Sequence, residues 1–383
     1  MTTTSDNTLP AQAESVDTRH EYWMRRALHL AAQGRGWTSP NPMVGSVVVR
    51  DGVMVGEGYH RQAGLDHAEA VALSNAGDAA RGADLYVTLE PCSHHGRTPP
   101  CTGRIIAAGV ARVICAHLDP DPRVNGRGIQ ILREAGIEVI VGPCADEARK
   151  LNEHYLHWKQ TGRPWITAKW AQTLDGQVAS STGSSKWITG TAARTEAHRQ
   201  RSYHDAVIVG IGTVLMDDPE LSVRHVEGRQ PWHVVLDARL ETPQGAKLIV
   251  PGRTLLVAGD GVSSEKAAMW RDAGVDVETV PLADGRLDLE DTVRLLARKG
   301  FISALVEGGP RVITSFLKAG LVQRVVTFVA PKIVGTGYAS VGSLGITDIR
   351  NALQLSDVEM NAYGADWCVT GVLTPDDTGA VED

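Results

Sequence analysis

Four side chains between His67 and Cys101 have the types and spacing of a zinc centre with chemistry to perform: His67, Glu69, Cys92 and Cys101. One imidazole and two thiols supply three protein ligands, which leaves a tetrahedral zinc an open fourth position for water; a fourth protein ligand would close the site. Glu69, two residues after His67, is placed to reach a water held on the metal and to carry protons. Two blander readings stand beside this one. The cysteines could be ordinary residues that happen to lie near a histidine, or His94 or His95 could complete a closed structural site. The glutamate, and Pro91 at a strand-to-helix corner, favour catalysis.

The surrounding pattern says how these residues are held. Apolar positions from Glu21 to Gln33 recur at helical spacing, and Arg50-Asp51-Gly52 between two β-rich runs is a hairpin signal. Gly64 to Asn75 reads as a helix with His67 and Glu69 in its first turns. Leu85 to Leu89 reads as a buried strand delivering Cys92, and Thr102 to Gly109 as a helix beginning just after Cys101. Thiolates are favoured at such helix N-termini. Further strands at Val113–Ala116 and Ile137–Val141, with a helix over Ile129–Ala135, make an α/β domain. One bridging helix is predicted from about Asp146 to Gly162, and Arg163-Pro164 marks a boundary. Seven strand-like runs then follow, from Trp165–Ala171 to Arg324–Val329, with helical stretches between them.

A chain of 383 residues exceeds what one core commonly organises, so two domains are expected, at 19–162 and 163–374. The polar termini, 1–18 and 375–383, are expected to lack fixed structure. With 38 basic against 45 acidic residues the formal charge is −7, which offers no footprint for nucleic acid and favours a small-molecule substrate. Five scattered cysteines do not make a disulfide framework. The N-terminus lacks a signal-peptide pattern and no apolar run is long enough to span a bilayer, so a cytoplasmic protein with no membrane partner is expected. A homo-oligomer is expected as well.

The H-x-E and P-C pattern resembles the zinc nucleobase-deaminase signature, in which the glutamate moves protons without binding metal. That signature usually closes with P-C-x-x-C. Here eight residues separate Cys92 from Cys101, and the loop His-His-Gly-Arg-Thr-Pro-Pro resembles the deaminase half of the bifunctional riboflavin-biosynthesis deaminase/reductase family. The resemblance implies a cytidine-deaminase-like three-layer α/β/α domain that deaminates a pyrimidine carrying a ribose phosphate. It also implies that Asn41, in Thr38-Ser-Pro-Asn-Pro-Met-Val-Gly45, orients the ring, and that His60 and Arg97 contact substrate. Arg97 has an independent case, because a guanidinium matches phosphate bidentately. Asp119-Pro-Asp-Pro122 departs from the family's usual Asp-Pro-Asn-Pro, which puts that loop's contacts in question.

In the second half, Gly210-Ile-Gly212 follows a strand, but Leu215 stands where a dinucleotide fingerprint needs its third glycine. Val306-Glu-Gly-Gly-Pro310 is the better phosphate cradle, since it exposes backbone N–H groups where a helix begins; an ordinary tight turn is the alternative. Four segments in order resemble the reductase half of the same family, with its dihydrofolate-reductase-like α/β fold: Lys169–Gly176, with Thr173 for the usual serine, Ser184–Thr189 with Arg201, Thr213–Arg224, and Glu307–Pro310. The resemblance assigns the substrate phosphate to Ser185, Arg201, Leu221, Arg224 and Glu307. It assigns NADPH to Ala171, Trp187, Thr213, Asp217 and the run Gly309, Pro310, Arg311, Val312, Ile313, Thr314 and Ser315. Ala238 replaces the serine of the family's Leu-Asp-Ser-Arg. The function so implied is zinc-dependent deamination of a diaminopyrimidinone ribosyl phosphate, followed by NADPH-dependent reduction of ribosyl to ribityl. A deaminase acting on nucleic acid and a non-catalytic zinc module are the alternatives.

Overall fold

The computed structural model describes residues 16–93 and 99–373, and the chain divides into two compact units, 1–162 and 163–383. The first unit runs α1 (Val16–Ala32), β1 (Gly45–Arg50), β2 (Val53–Tyr59), α2 (Ala68–Ala76), β3 (Asp84–Val87), α3 (Cys101–Ala108), β4 (Arg112–Cys115), α4 (Arg127–Glu134), β5 (Glu138–Val141), α5 (Ala145–Leu151) and α6 (Glu153–Thr161). Its sheet has the order β2-β1-β3-β4-β5; the first two pairings are antiparallel and the last two parallel. Period-2 alternation sends Val48, Leu85 and Val113 toward α2, α3 and α4, and Val47, Tyr86 and Ile114 toward α1 and α5. The result is the three-layer α/β/α sandwich.

The hairpin at Asp51-Gly52 turns with both residues at positive φ, 50° and 77°, as a two-residue loop matched to strand twist requires. Three sequence expectations are corrected here. Helix α1 starts at Val16, so residues 16–18 belong to it and not to an unstructured tail. Helix α2 starts four residues late, because His67 is extended (φ −74°, ψ 158°) and the Asp66 carbonyl is 3.0 Å from the His60 ring. The single helix over 146–162 is two, broken at Asn152, whose side-chain amide pairs with both the N–H and the carbonyl of Met43 at 2.8 Å.

The second unit comprises β6 (Trp165–Thr173), β7 (Gln177–Ser180), α7 (Thr191–Tyr203), β8 (Ala206–Gly210), α8 (Ile211–Asp217), β9 (Trp232–Leu236), β10 (Thr254–Gly259), α9 (Ser264–Asp272), β11 (Asp276–Val280), β12 (Leu282–Ala283), β13 (Arg286–Leu287), α10 (Leu289–Arg298), β14 (Ser303–Val306), α11 (Pro310–Lys318), β15 (Arg324–Ala330), β16 (Gly337–Ala339), β17 (Leu355–Tyr363) and β18 (Asp366–Leu373). Its nine-stranded sheet is ordered β11-β10-β9-β8-β14-β6-β15-β18-β17, parallel as far as β15 and antiparallel at the β18 and β17 edge. One face packs on α10 and α11 through Ile208, Leu255 and Val306, the other on α9 through Val207, Leu256 and Leu305.

Gly45 and Gly56 set how closely helices lie on the first sheet. A Cβ on Gly45 would stand 2.0 Å from the Ala27 carbonyl oxygen, and one on Gly56 2.4 Å from that of Ala72. Gly45→Ala is expected to destabilise the first unit by about 1–3 kcal/mol, the range of core overpacking. Urea unfolding should show that unit's transition at lower denaturant while the second unit's stays in place.

Candidate active sites

In the first unit the strand ends and two helix N-termini bring the sequence-derived cluster together. His67 caps α2, Glu69 lies in its first turn, and Cys101 is the first residue of α3, after Pro100. The His67 Nδ1 lies 3.5 Å from Cys92 Sγ and 3.3 Å from Cys101 Sγ, and the three ligand atoms all fall within 4.8 Å of one another. This donor set fits zinc: two sulfurs and a nitrogen converge on one point, as a tetrahedral ion with an open position requires. The Cys101 thiol hydrogen-bonds Cys92, the His67 ring adds to it, and the Cys101 N–H donates to the sulfur at 3.3 Å; together they hold the Cys92 thiol well below the usual thiol range. Glu69 is buried, and that burial, with the nearby Cys92 charge, raises its carboxyl to about 6. It is therefore matched to proton transfer near neutral pH.

His67, Glu69 and Cys92 open on a cavity of about 380 Å³ lined also by Asn41, His60, Asp119, Asp121, Tyr155 and Lys159. The His60 ring is fixed from both sides. Its Nδ1 is 3.0 Å from the Asp66 carbonyl, so Nδ1–H donates there and Nε2 accepts from the Asn41 amide at 3.3 Å. Arg97 lies outside the described residues.

Sequence reasoning assigned nothing to Tyr155 or Lys159 and left the 119–122 loop in question. Tyr155 donates its hydroxyl to the Asp119 carboxylate, 3.0–3.1 Å from its two oxygens. Asp121 pairs with Lys159 at 2.8 Å and with Arg123 at 2.6 Å; the Arg123 hydrogen bond, with that of Lys159, holds its carboxyl far below the ordinary carboxylate range. An aspartate at this position therefore carries its own countercharges. The i, i+4 spacing of Tyr155 and Lys159, one turn apart on α6, was the signal that they share a face.

In the second unit the candidates gather at the C-terminal ends of parallel strands, where open α/β sheets hold ligands. Gly309 caps α11, Pro310 takes its first turn, and the Gly309 N–H donates to the Thr213 hydroxyl at 3.1 Å, joining two segments that are 96 residues apart. Gly210 and Gly308 are spacers, since a Cβ on either would lie 2.7 and 2.6 Å from the Val312 side chain. Ala171 lies on β6, packed against the Phe328 cluster, and Asp217 ends α8, exposed. Trp187 is 65% exposed, with the Arg194 guanidinium 4.6 Å above its ring. Ser185 is half-buried on the loop preceding it.

Three of the assigned residues have surroundings that their motifs did not show. The Glu307 carboxylate takes both Arg201 Nε and Nη2 at 2.8 Å and lies 3.7 Å from Lys169 Nζ. Burial alone would push this carboxyl up, but the charges of Arg201 and Lys169 outweigh it and bring it down to about 2. Glu307 thus aims Arg201, and sequence reasoning gave Lys169 no role. Leu221 is buried at 2% exposure in the core under α9, leaving only its main chain to a ligand. Ile313, at 1%, likewise sends its side chain into the core, leaving its main chain to a ligand.

The two folds and the two sites define a class: a two-domain enzyme joining a zinc-type pyrimidine deaminase to a reductase. Residues 17–117 match the cytidine and deoxycytidylate deaminase zinc-binding region, and residues 164–369 match the RibD C-terminal domain. The chain is 47% identical to the riboflavin biosynthesis protein RibD of Aquifex aeolicus over 90% of its own length and 96% of that protein's. It is 41% identical to the Escherichia coli protein of the same name, over 91% and 98%. Among solved structures, Acinetobacter baumannii RibD superposes with a TM-score of 0.86 at 37% identity, covering 94% of this chain and all of that one. The Thermotoga maritima diaminohydroxyphosphoribosylaminopyrimidine deaminase/5-amino-6-(5-phosphoribosylamino)uracil reductase gives 0.82 at 35%, with the same coverage. The chain belongs to the RibD family and is a bifunctional deaminase and reductase of riboflavin biosynthesis.

Removing Glu307 would leave two buried cations without a countercharge. Glu307→Ala is expected to destabilise the second unit by about 3–5 kcal/mol, the usual cost of orphaning a buried charge, as read from that unit's urea transition.

Proposed function

We propose that the first unit deaminates 2,5-diamino-6-(5-phosphoribosylamino)pyrimidin-4(3H)-one and that the second reduces the resulting 5-amino-6-(5-phosphoribosylamino)uracil with NADPH. The observation that carries the first half is the His67, Cys92 and Cys101 triangle, with His67, Cys92 and buried Glu69 lining one cavity. Those three residues would hold zinc, which supplies an activated water when bound. Glu69 takes a proton from the nucleophile and returns it to the departing amine, as a carboxyl raised to about 6 can. Asn41 and His60, which fix each other's orientation, present hydrogen-bonding groups to the ring edge, and Asp119 offers an acceptor that Tyr155 keeps in place.

For the reductase, Gly309 to Ser315, Thr213, Asp217, Ala171 and Trp187 would hold NADPH, which supplies hydride. The first-turn N–H groups of α11 suit its phosphates. Arg201 and Arg224 grip the substrate phosphate with Ser185, Glu307 keeps Arg201 aimed, and Lys169 sets a positive charge beside the sugar. Both units work by holding reactants in position.

The protein is proposed to act in the cytosol, where Cys92 and Cys101 stay reduced, and none of the described helices is long and apolar enough to cross a membrane. A homo-oligomer is proposed to form through the β17–β18 hairpin. Its edge strand is exposed over nearly its whole length and displays Val358 and Met360 at 51% and 62%, beside Trp367 at 50%.

Glu69→Gln is expected to lower ammonia release by about 10²–10⁴-fold while NADPH oxidation on the aminouracil phosphate stays within twofold. Unchanged ammonia release would remove Glu69 from the mechanism. Zinc chelation should likewise abolish only the first activity. Met360→Lys, tested by light scattering after size exclusion, is expected to shift the protein toward monomer.

A further inference from the structure

The loop from Glu220 to His225 presents Arg224, yet two of its non-glycine residues sit in the left-handed region, Leu221 at φ 53° and His225 at φ 60°. Such a conformation persists only where its surroundings over-determine it. Three anchors do so. Leu221 drives its side chain into the core, the Gln230 amide pairs with both the N–H and the carbonyl of Val223 at 2.8 Å, and His198 meets the loop from α7.

His198 is 7% exposed and lies three residues before Arg201. Its Nδ1 is 3.1 Å from the Arg224 amide nitrogen and 3.0 Å from the Ser222 carbonyl. An amide N–H only donates, so Nδ1 is the acceptor and the ring proton sits on Nε2. The Ser222 carbonyl has its own donor, Arg201 Nη1, at 3.2 Å. Burial first, then the charges of Arg201 and Arg224, brings the His198 pKa down to about 4, which keeps the ring neutral and able to accept. The His225 ring packs edge-on against it, with centroids 4.9 Å apart. The Arg224 guanidinium meanwhile rests on Glu220, four residues back, within reach of an incoming anion that would replace that carboxylate.

Resting on the reductase reading above, we propose that His198 is a positioning residue for the substrate's phosphate: its imidazole fixes the main chain of Arg224 so that this guanidinium and Arg201 close on the same phosphoryl group. Arg201 is aimed by Glu307 and Arg224 by His198, one support for each arm. His198 itself touches neither substrate nor cofactor. Its removal therefore weakens the grip on the phosphate and leaves hydride transfer in the bound complex unchanged.

The full-length enzyme with His198→Ala, His198→Asn and Arg224→Ala tests this, because asparagine places an oxygen acceptor where Nδ1 stands. His198→Ala is expected to raise the KM for the aminouracil ribosyl phosphate about tenfold, as loss of one hydrogen bond to an oriented group does. It should raise the inhibition constant of inorganic phosphate in parallel. The kcat, the NADPH dissociation constant and ammonia release should stay within twofold, and His198→Asn should recover most of the KM. An unchanged KM in His198→Ala, a fall in kcat alone, or an asparagine variant as poor as the alanine one overturns the proposal. If the alanine variant does not fold, as loss of the second unit's urea transition would reveal, His198→Asn against His198→Gln decides: equal KM values overturn it. If Arg224→Ala leaves KM unmoved, the phosphate-site reading fails first and the proposal falls with it. A raised KM in Arg224→Ala with none in His198→Ala sinks the proposal alone.

Discussion

Helices in both units rest on their sheets at backbone contact, and the sites depend on that closeness. Where Gly45 and Gly56 meet α1 and α2, a single added carbon would overlap a carbonyl oxygen. Helix α2 consequently lies low on the hairpin, and its first turn meets the end of β3 and the start of α3, where the sulfurs are. The same device brings α4 against the ligand segment: a Cβ on Gly128 would come within 2.1 Å of the Pro91 carbonyl, one residue before Cys92. In the second unit, Gly210 and Gly308 let the first turn of α11 settle on the ends of β8 and β14. Interiors packed this tightly transmit small errors, so an ångström of lift at any of these contacts would spread the groups that must converge.

Buried carboxylates then divide into organisers and one actor, and their neighbours tell them apart. Glu90 accepts N–H bonds from Asp119, Gly126 and Gly128, tying the 119–128 loop to the zinc-ligand strand. Asp205 takes the N–H groups of Ile302 and Ser303 and the Arg229 guanidinium. Glu307 takes Arg201 and Lys169. Each directs its oxygens to N–H groups or cations that hold the scaffold together, and at Glu307 the charges of Arg201 and Lys169 bring the carboxyl down to about 2 against the push of burial. Glu69 is the opposite case, because burial and the neighbouring thiolate favour its neutral form. Environments that push carboxyl groups apart in this way separate the acid–base residue from the scaffold.

Much of this was legible from sequence wherever a local rule decided the outcome. The Asp51-Gly52 turn, the β-rich runs on either side of it and the Pro–Cys corners depend on near neighbours only. The grouping of His67, Cys92 and Cys101 followed from ligand chemistry, which restricts what such residues do together. Non-local contacts were not readable. Asn152 broke the expected 146–162 helix through Met43, 109 residues away. Nothing in the motif of Glu307 shows Arg201 and Lys169 converging on it. The β17–β18 hairpin went unread although Val358, Met360 and Ala362 alternate with Glu359 and Asn361 and Gly364 sits at φ 69° in a two-residue turn; its edge strand is exposed on both faces, so burial does not mark it. At Leu221 and Ile313 the buried side chain leaves the main chain for any ligand, and a motif position names a residue but not which of the two faces the ligand.

The departures from the family pattern show which feature of each position matters. Thr173, where serine is usual, donates its hydroxyl to Asp175 at 2.6 Å and accepts the Gln177 N–H at 2.9 Å, work that a serine hydroxyl would do equally. Its extra methyl is buried, so the change is isofunctional. Asp121, where asparagine is usual, adds a charge, and Lys159 and Arg123 offset it within hydrogen-bond distance; an amide there would leave Lys159 without its anion beside the Trp158 ring, 4.3 Å away. Ala238 keeps its main-chain role, accepting the Gly259 N–H at 3.0 Å, and loses only a hydroxyl. Hydrogen bonds that build the backbone of each site are thus retained at all three positions, while side-chain charge changes only where a countercharge stands beside it. That asymmetry follows from cost, since an unpaired buried charge is far more expensive than a missing hydroxyl.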